Sequence, residues 1–284
     1  MSATVSEINR KVTPALLRKK KSRQEKIVCL TASDYPLARI MDEVGIDVLL
    51  VGDSLGMTRL GYESTIPVTL DEILIHLKSV RRAVKRALVV ADLPFASYQI
   101  NTKSALESAL RLVKEGGAEA VKFEGGRRYV RWVERLVNAG IPVMGHIGLL
   151  PQSVHVMGGY RVQGNTAESA EELREDALAL ERAGAFAIVL EGITQEVASD
   201  VTRSLHSPSI GIGAGPFCDG QILVSEDLLG LGFTKKPKFA RAYANLNQVI
   251  SGIVSTFKRD CQTGQFPAEH ESYILEAKQD SASR

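Results

Sequence analysis

Asp47-Val-Leu-Leu-Val-Gly-Asp-Ser-Leu-Gly56 opens as an apolar run, Val48 to Val51, and closes in a turn. That turn carries a carboxylate and a hydroxyl, Asp53 and Ser54, between Gly52 and Gly56. A short run of this kind reads as a strand buried on both faces. A buried strand that ends in acid must offer that end to solvent, a metal or a ligand, because an unpartnered charge is costly to bury. The two glycines would let the backbone come close to whatever binds there.

The layout recurs on both sides of this stretch. Before it, Ile27 to Thr31 reads as a strand and Asp34 to Val44 as a helix ended by Gly45. After it comes a loop over 53–68. Then Thr69-Leu-Asp-Glu72 has the form of a capping box, and Leu70, Ile73, Leu74 and Leu77 form one apolar face behind it. Further strands follow at Ala87 to Asp92, Glu119 to Gly125, Ile141 to His146, Phe186 to Glu191, Ser209 to Gly215 and Gln221 to Ser225. Helical patterns separate most of them, at 102–115, 127–139, 167–183 and 194–204, and a closing helix is expected over 238–258.

Eight strands alternating with helices, with no linker-like change of composition, favour a (β/α)8 TIM barrel of the α/β class over an open doubly wound sheet. The expected organisation is a polar arm or first helix over 1–25, the barrel with its closing helix over 26–258, and a polar tail over 259–284.

Composition narrows the partners. The 284 residues carry 35 basic and 33 acidic side chains, a net charge of +2, which argues for neither nucleic acid nor a strongly charged partner. The basic run Arg18-Lys-Lys-Lys-Ser-Arg23 has no interleaved aromatics and reads as a solvated face. No apolar run approaches the ~20 residues of a membrane span, and no signal-peptide core is evident. Cys29, Cys218 and Cys261 are too far apart to suggest a disulfide framework. A cytoplasmic enzyme of small molecules, away from membranes, is the expectation.

In a barrel of this kind the active site lies at the C-terminal ends of the strands. Those ends carry Asp53 and Ser54, Asp92, Lys122 and Glu124, His146 and Glu191. Two carboxylates on adjacent strand ends repel each other unless a cation or proton lies between them, and oxygen ligands with free positions suit Mg2+. The plainer reading is that each aspartate caps a turn. Lys122 and Glu124, two apart, face the same side. Lys122 suits a substrate carboxylate or developing oxyanion, and Glu124 suits the metal shell; a structural ion pair is the alternative. Glu191 ends an apolar strand that would desolvate it and suit it to act as general base, or it is a glutamate bonded to backbone amides. His146 is open between ligand contact, proton carrier and structural histidine. Gly211-Ile-Gly-Ala-Gly215 has no following Lys-Ser/Thr, so close packing at the rim is preferred over a phosphate loop. Together these residues point to metal-assisted carbanion formation next to the carbonyl of a 2-oxo acid, followed by aldol-type or lyase chemistry.

The motifs Leu50-Val-Gly-Asp-Ser-Leu-Gly-Met57, Ala91-Asp-Leu-Pro-Phe95, Val121-Lys-Phe-Glu-Gly-Gly126, Gly145-His-Ile-Gly-Leu149, Pro151-Gln-Ser153 and Gly158-Gly-Tyr160 follow one another in order. With Val162-Gln-Gly164, Ile210 to Gly215, Asp219 to Val224 and Pro237 to Ala240, they resemble the ketopantoate hydroxymethyltransferase family over about residues 13–270. The resemblance implies a barrel of the phosphoenolpyruvate/pyruvate type. It implies transfer of a hydroxymethyl group from 5,10-methylenetetrahydrofolate to 3-methyl-2-oxobutanoate, giving 2-dehydropantoate for pantothenate synthesis. It also implies Mg2+ on Asp53 and Asp92 with Glu124 in the metal site. Asp53, Ser54, Asp92, Lys122 and His146 would be near the substrate, and Glu191 would be the proton acceptor. The assembly implied is a homo-oligomer, commonly a decamer.

Overall fold

Each short apolar run forms a strand because its neighbours on both sides are strands and both of its faces are covered. The computed structural model describes residues 10–233 and 236–275. Its strands are β1 (Ile27–Thr31), β2 (Val48–Val51), β3 (Leu88–Asp92), β4 (Ala120–Glu124), β5 (Val143–Gly148), β6 (Ala187–Glu191), β7 (Ser209–Ile212) and β8 (Gly220–Leu223). They run parallel in sequence order and close, with β8 pairing β1 through Ile27 opposite Gly220 and Cys29 opposite Ile222. The fold is a (β/α)8 barrel.

The period of two along each strand splits the core in two. Val48, Leu50, Leu88, Val90, Ala120, Met144, Ala187, Val189, Ile210 and Ile222 pack inside the barrel. Their neighbours Leu49, Val51, Val89, Ala91, Val121, Phe123, Ile188 and Leu190 pack outward among the helices. This parity places chemistry. Asp92, Lys122, Glu124, His146 and Glu191 each lie an even number of residues beyond an inward-facing apolar side chain of their own strand, so all five continue the inner face.

Local signals set the helix boundaries. Asp34 caps Tyr35–Val44 by accepting from the Leu37 amide, and Gly45 ends that helix in the left-handed conformation at φ 96°. Thr69 and Glu72 form the reciprocal capping box of Leu70–Ala83. The loops after β2 and β5 contain short helical turns, Leu55–Thr58 and Val154–Met157, that no periodicity marked.

The bottom of the barrel is sealed by helix Pro14–Ser22. Val12 and Leu17 are wholly buried in the inner cluster. Lys20 meets Asp47 at 2.6 Å, and Lys21 meets Asp219 at 2.9 Å and the carbonyl oxygens of Thr202 and Ser207. Part of the basic run is therefore spent on ion pairs at the strand N-termini. Residues 1–9 of the expected arm and 276–284 of the expected tail lie outside the described residues.

Several expected boundaries move: the fifth strand runs Val143–Gly148 rather than 141–146, and the seventh stops at Ile212 rather than Gly215. The last strand ends at Leu223, and Ser225 instead begins the short helix Ser225–Leu229, where its amide donates to Thr31 Oγ1 at 3.0 Å across the barrel seam. The closing helix is Leu246–Thr263 rather than 238–258, because Asn245 caps it by accepting from the Gln248 amide. No residue of this helix is buried. Val249, Ile250, Ile253, Val254 and Phe257 form an exposed apolar stripe. Among the described residues no helix is long and apolar enough to cross a membrane.

If Leu17 plugs the barrel, Leu17→Ala should cost about 2–5 kcal/mol, the range for a large side chain deleted from a packed core. Urea unfolding measures this, and a loss below about 0.5 kcal/mol, the level of an ordinary surface substitution, would show that the helix does not contribute to the core.

Candidate active site

Barrel closure brings the polar strand ends to one place. Asp53, Ser54, Asp92, Lys122, Glu124, His146 and Glu191 all line one cavity of about 720 Å3. Asp92 stands directly opposite Lys122 in the β3–β4 register, and Glu124 stands opposite His146 in the β4–β5 register. Lys122 Nζ lies 2.9 Å from Asp92 Oδ1 and 3.4 Å from His146 Nδ1. His146 Nε2 lies 3.2 Å from Glu191 Oε2.

Four carboxylates thus surround one ammonium. Burial works against the charged Lys122, but Asp92, Glu124 and Asp53 outweigh it and raise the lysine's pKa, so the ammonium stays charged. Burial holds the Glu124 carboxyl well above the usual range; Lys122 offsets part of this, while Asp53, Asp92 and Glu191 add to it. Burial, then Lys122, lowers the pKa of His146. The imidazole is therefore neutral. With Nδ1 facing the lysine as acceptor, its proton sits on Nε2, toward Glu191. Glu191 is the most open of the four acids, its side chain 16% exposed against 2% for Asp92 and Glu124.

An excess of buried negative charge is what a divalent cation would neutralise. Asp92 Oδ1 and His146 Nε2 are buried without a well-aligned hydrogen bond. The hard oxygen donors fit Mg2+, and the Asp53 backbone amide lies 3.5 Å from Asp92 Oδ2. Among the described residues no three His, Cys, Asp or Glu side chains form a ready-made cage. Such a site would leave coordination positions to water and substrate, as Mg2+ commonly does.

The glycines around Asp53 act differently from expectation. A Cβ on Gly52 would meet its nearest neighbours at 3.5–3.6 Å, an ordinary contact. One on Gly56 would lie 2.4 Å from Val68 Cγ2, so that glycine serves the packing of the loop rather than the site. In the rim sequence Gly211 to Gly215, Gly213 has φ 62°, and the Phe239 ring lies where its Cβ would be, at 2.5 Å. Close packing at the rim is what that glycine allows.

Sequence reasoning assigned no role to Gln152, Tyr98 or Tyr160. Gln152 is buried and donates to Asp53 Oδ2 at 2.8 Å; Tyr98 donates to Gln152 Oε1 at 2.9 Å; Tyr160 lines the cavity mouth. The short motifs of Gln152 and Tyr160 were visible and Tyr98 lay in none, but no local periodicity marks a contact between segments 99 residues apart in sequence. The loop that carries Tyr160 is tied to the end of β6 by the Gln163–Ile193 bridge and by Thr194 Oγ1 donating to Gly164 O at 3.0 Å.

Comparison with known proteins follows the same line. The family model described as ketopantoate hydroxymethyltransferase matches residues 11–269. The 3-methyl-2-oxobutanoate hydroxymethyltransferase of Koribacter versatilis is 53% identical over 97% of this chain and 93% of its own. That of Thermobifida fusca is 56% identical over 93% of this chain and 94% of its own. Among solved structures, a phosphonopyruvate hydrolase complex with oxalate and Mg2+ superposes with TM-score 0.59 at 12% identity, covering 92% of this chain and 93% of that one. The 2,3-dimethylmalate lyase, of the PEP mutase/isocitrate lyase superfamily, gives 0.56 at 18% identity, covering 92% and 91%. At such identities the structures show the fold alone.

Burial, then Asp92, push the Asp53 carboxyl up to about 7; Lys122 and Gln152 offset part of this. An acid raised in the folded state binds its proton more tightly there than in the unfolded chain. Its contribution to stability is present in full below the unfolded value of about 4 and is lost as pH rises through about 7. Without divalent cation, the wild-type melting temperature should therefore fall relative to that of Asp53→Asn between about pH 4 and pH 7. A difference that stays constant across this window would refute the raised carboxyl.

Proposed function

The chain belongs to the ketopantoate hydroxymethyltransferase family and is a hydroxymethyltransferase, and we propose that it moves a one-carbon unit from 5,10-methylenetetrahydrofolate to 3-methyl-2-oxobutanoate, giving 2-dehydropantoate in pantothenate synthesis. The observation that carries this reading is the gathering of Asp53, Ser54, Asp92, Lys122, Glu124, His146 and Glu191 on one cavity wall.

Asp53 and Asp92 would hold Mg2+, with Glu124 in or beside its shell. When bound, the cation would polarise the keto group of the oxo acid and offset the charge of the surrounding acids. Lys122, kept charged by its carboxylate neighbours, would bind the substrate carboxylate or the developing enolate oxygen. The Ser54 hydroxyl, also on the cavity wall, would bind the oxo acid. Glu191, the most open acid, would take the proton from C3 of the substrate. His146, its Nε2 proton facing Glu191, would orient that carboxylate and steady the charge it gains and loses. Water would release the methylene carbon from both folate nitrogens as formaldehyde, leaving tetrahydrofolate, and the enolate carbon would add to that carbonyl, whose oxygen takes a proton to become the new hydroxyl. A cavity of about 720 Å3 leaves room beside a five-carbon acid for part of a second, larger substrate.

We place this work in the cytoplasm, which three unpaired cysteines, two of them buried, support. The partners are these small molecules and further copies of the chain, not nucleic acid or membrane. The apolar stripe on Leu246–Thr263 supports a homo-oligomer, with a decamer as the assembly. Light scattering should give the mass of ten protomers, and a monomer at micromolar concentration would count against it.

Product formation from Mg2+, 3-methyl-2-oxobutanoate and methylenetetrahydrofolate is the direct test, and its absence would sink the reading. Deuterium exchange at C3 of the oxo acid without folate isolates the first step. Glu191→Gln should slow exchange by about 100- to 10,000-fold, the usual contribution of a general base, while Mg2+ still binds. Unchanged exchange would remove Glu191 as base. Asp53→Ala and Asp92→Ala should each weaken Mg2+ binding by calorimetry, and wild-type affinity in either would take that residue out of the metal site.

A further inference from the structure

The geometry points to Gln152 as a positioning residue that presents Asp53 and Glu124 to the divalent cation. This rests on the metal reading above. Gln152 lies in the turn Pro151–Ser153 after β5, is 3% exposed, and touches the ends of three other strands. Its side-chain amide donates to Asp53 Oδ2 at 2.8 Å and to the Leu93 carbonyl at 3.0 Å. Its backbone amide donates to Glu124 Oε2 at 3.0 Å. One residue thus holds one oxygen of each of two acids placed at the metal.

The amide can point only one way. Its two N–H groups face two acceptors, a carboxylate and a carbonyl. Its Oε1 faces two donors, the Tyr98 hydroxyl at 2.9 Å and the Gln99 amide at 3.2 Å. Rotating it by half a turn would set oxygen against oxygen on the Asp53 side. Tyr98 is itself locked. It is buried, its carbonyl accepts from Trp132 Nε1 at 2.8 Å, and its ring packs between Phe123 and Tyr129. Its hydroxyl also accepts from the Glu124 amide at 3.3 Å, and the Glu124 carbonyl at 3.0 Å is a second acceptor for its one proton beside Gln152 Oε1.

The consequence lies at Asp53. Gln152 engages Oδ2, and among the described residues no hydrogen bond is made to Oδ1, which is left to a cation. The carboxylate plane is set before any metal arrives, so little of the binding free energy goes into ordering it. Gln99 makes the longer and less buried of the two contacts to Oε1, and its removal leaves the Tyr98 donor in place, so it serves as the control.

The experiment titrates Mn2+, a stand-in for Mg2+ with a paramagnetic signal, into metal-free full-length protein and follows free Mn2+ by electron paramagnetic resonance. Gln152→Met keeps the volume and the backbone amide to Glu124 but removes the side-chain donors to Asp53 and Leu93. We expect Mn2+ to bind it about 10-fold or more weakly than wild type, the usual cost of losing a group that orients a metal ligand. Gln99→Met should stay within about twofold, well short of that loss. Because the defect is in affinity, raising Mn2+ should restore C3 exchange in Gln152→Met, which general damage to the barrel would not allow. Tyr98→Phe, which removes the proton donated to Gln152, should weaken Mn2+ binding in the same direction and serves if Gln152→Met does not fold. Wild-type Mn2+ affinity in folded Gln152→Met, or in Tyr98→Phe if that variant alone folds, would overturn the proposal and leave the metal reading intact. Failure of wild type to bind Mn2+ would overturn both.

Discussion

One ammonium, that of Lys122, stands among four carboxylates at the top of the barrel, and much of the architecture serves to make that possible. Carboxylates this close, in a place with little water, repel each other and hold protons more tightly, and in a looser structure they would move apart. They stay together because each is fixed to a different parallel strand and the strands close on one another. Backbone pairing, not side-chain attraction, imposes the proximity. The raised carboxyls of Asp53 and Glu124 are the electrostatic record of that constraint.

The same constraint divides the labour among the acids. Asp53, Asp92 and Glu124 are buried, and Lys122 stands beside Asp92, so the negative charge is gathered where a cation would collect it. Glu191 lies farther round the barrel, more open and beside a neutral histidine, which suits the role of base proposed for it. Two kinds of carboxylate chemistry can therefore share one cavity because the strand ends place them in different environments.

Stability and site are built at opposite ends of the barrel. The bottom is sealed by Val12 and Leu17, with Lys20 and Lys21 neutralising Asp47 and Asp219, so the acids there are used up in structure. The acids at the top are left in excess. Helix Leu246–Thr263 buries none of its residues, and its apolar stripe stays exposed, with Phe257 packed edge-on against Phe266.

The strands and their inner faces were legible in the sequence because a period of two is a local property. Asp92, Lys122, Glu124, His146 and Glu191 could be placed at strand ends, and Lys122 and Glu124 on one side, before any contact was known. Asp34 and the Thr69–Glu72 box marked helix starts for the same reason, since a cap is satisfied within a few residues. Three features needed the folded chain. Gln152 reaches Asp53 across 99 residues; the His146 proton is directed by Lys122 and Glu191 from the neighbouring strands; and helix Leu246–Thr263 is amphipathic in sequence but leaves its apolar stripe exposed. The division is physical. Periodicity and capping are satisfied by neighbours along the chain, whereas the direction of a hydrogen bond or the cover over an apolar face depends on where barrel closure puts distant segments.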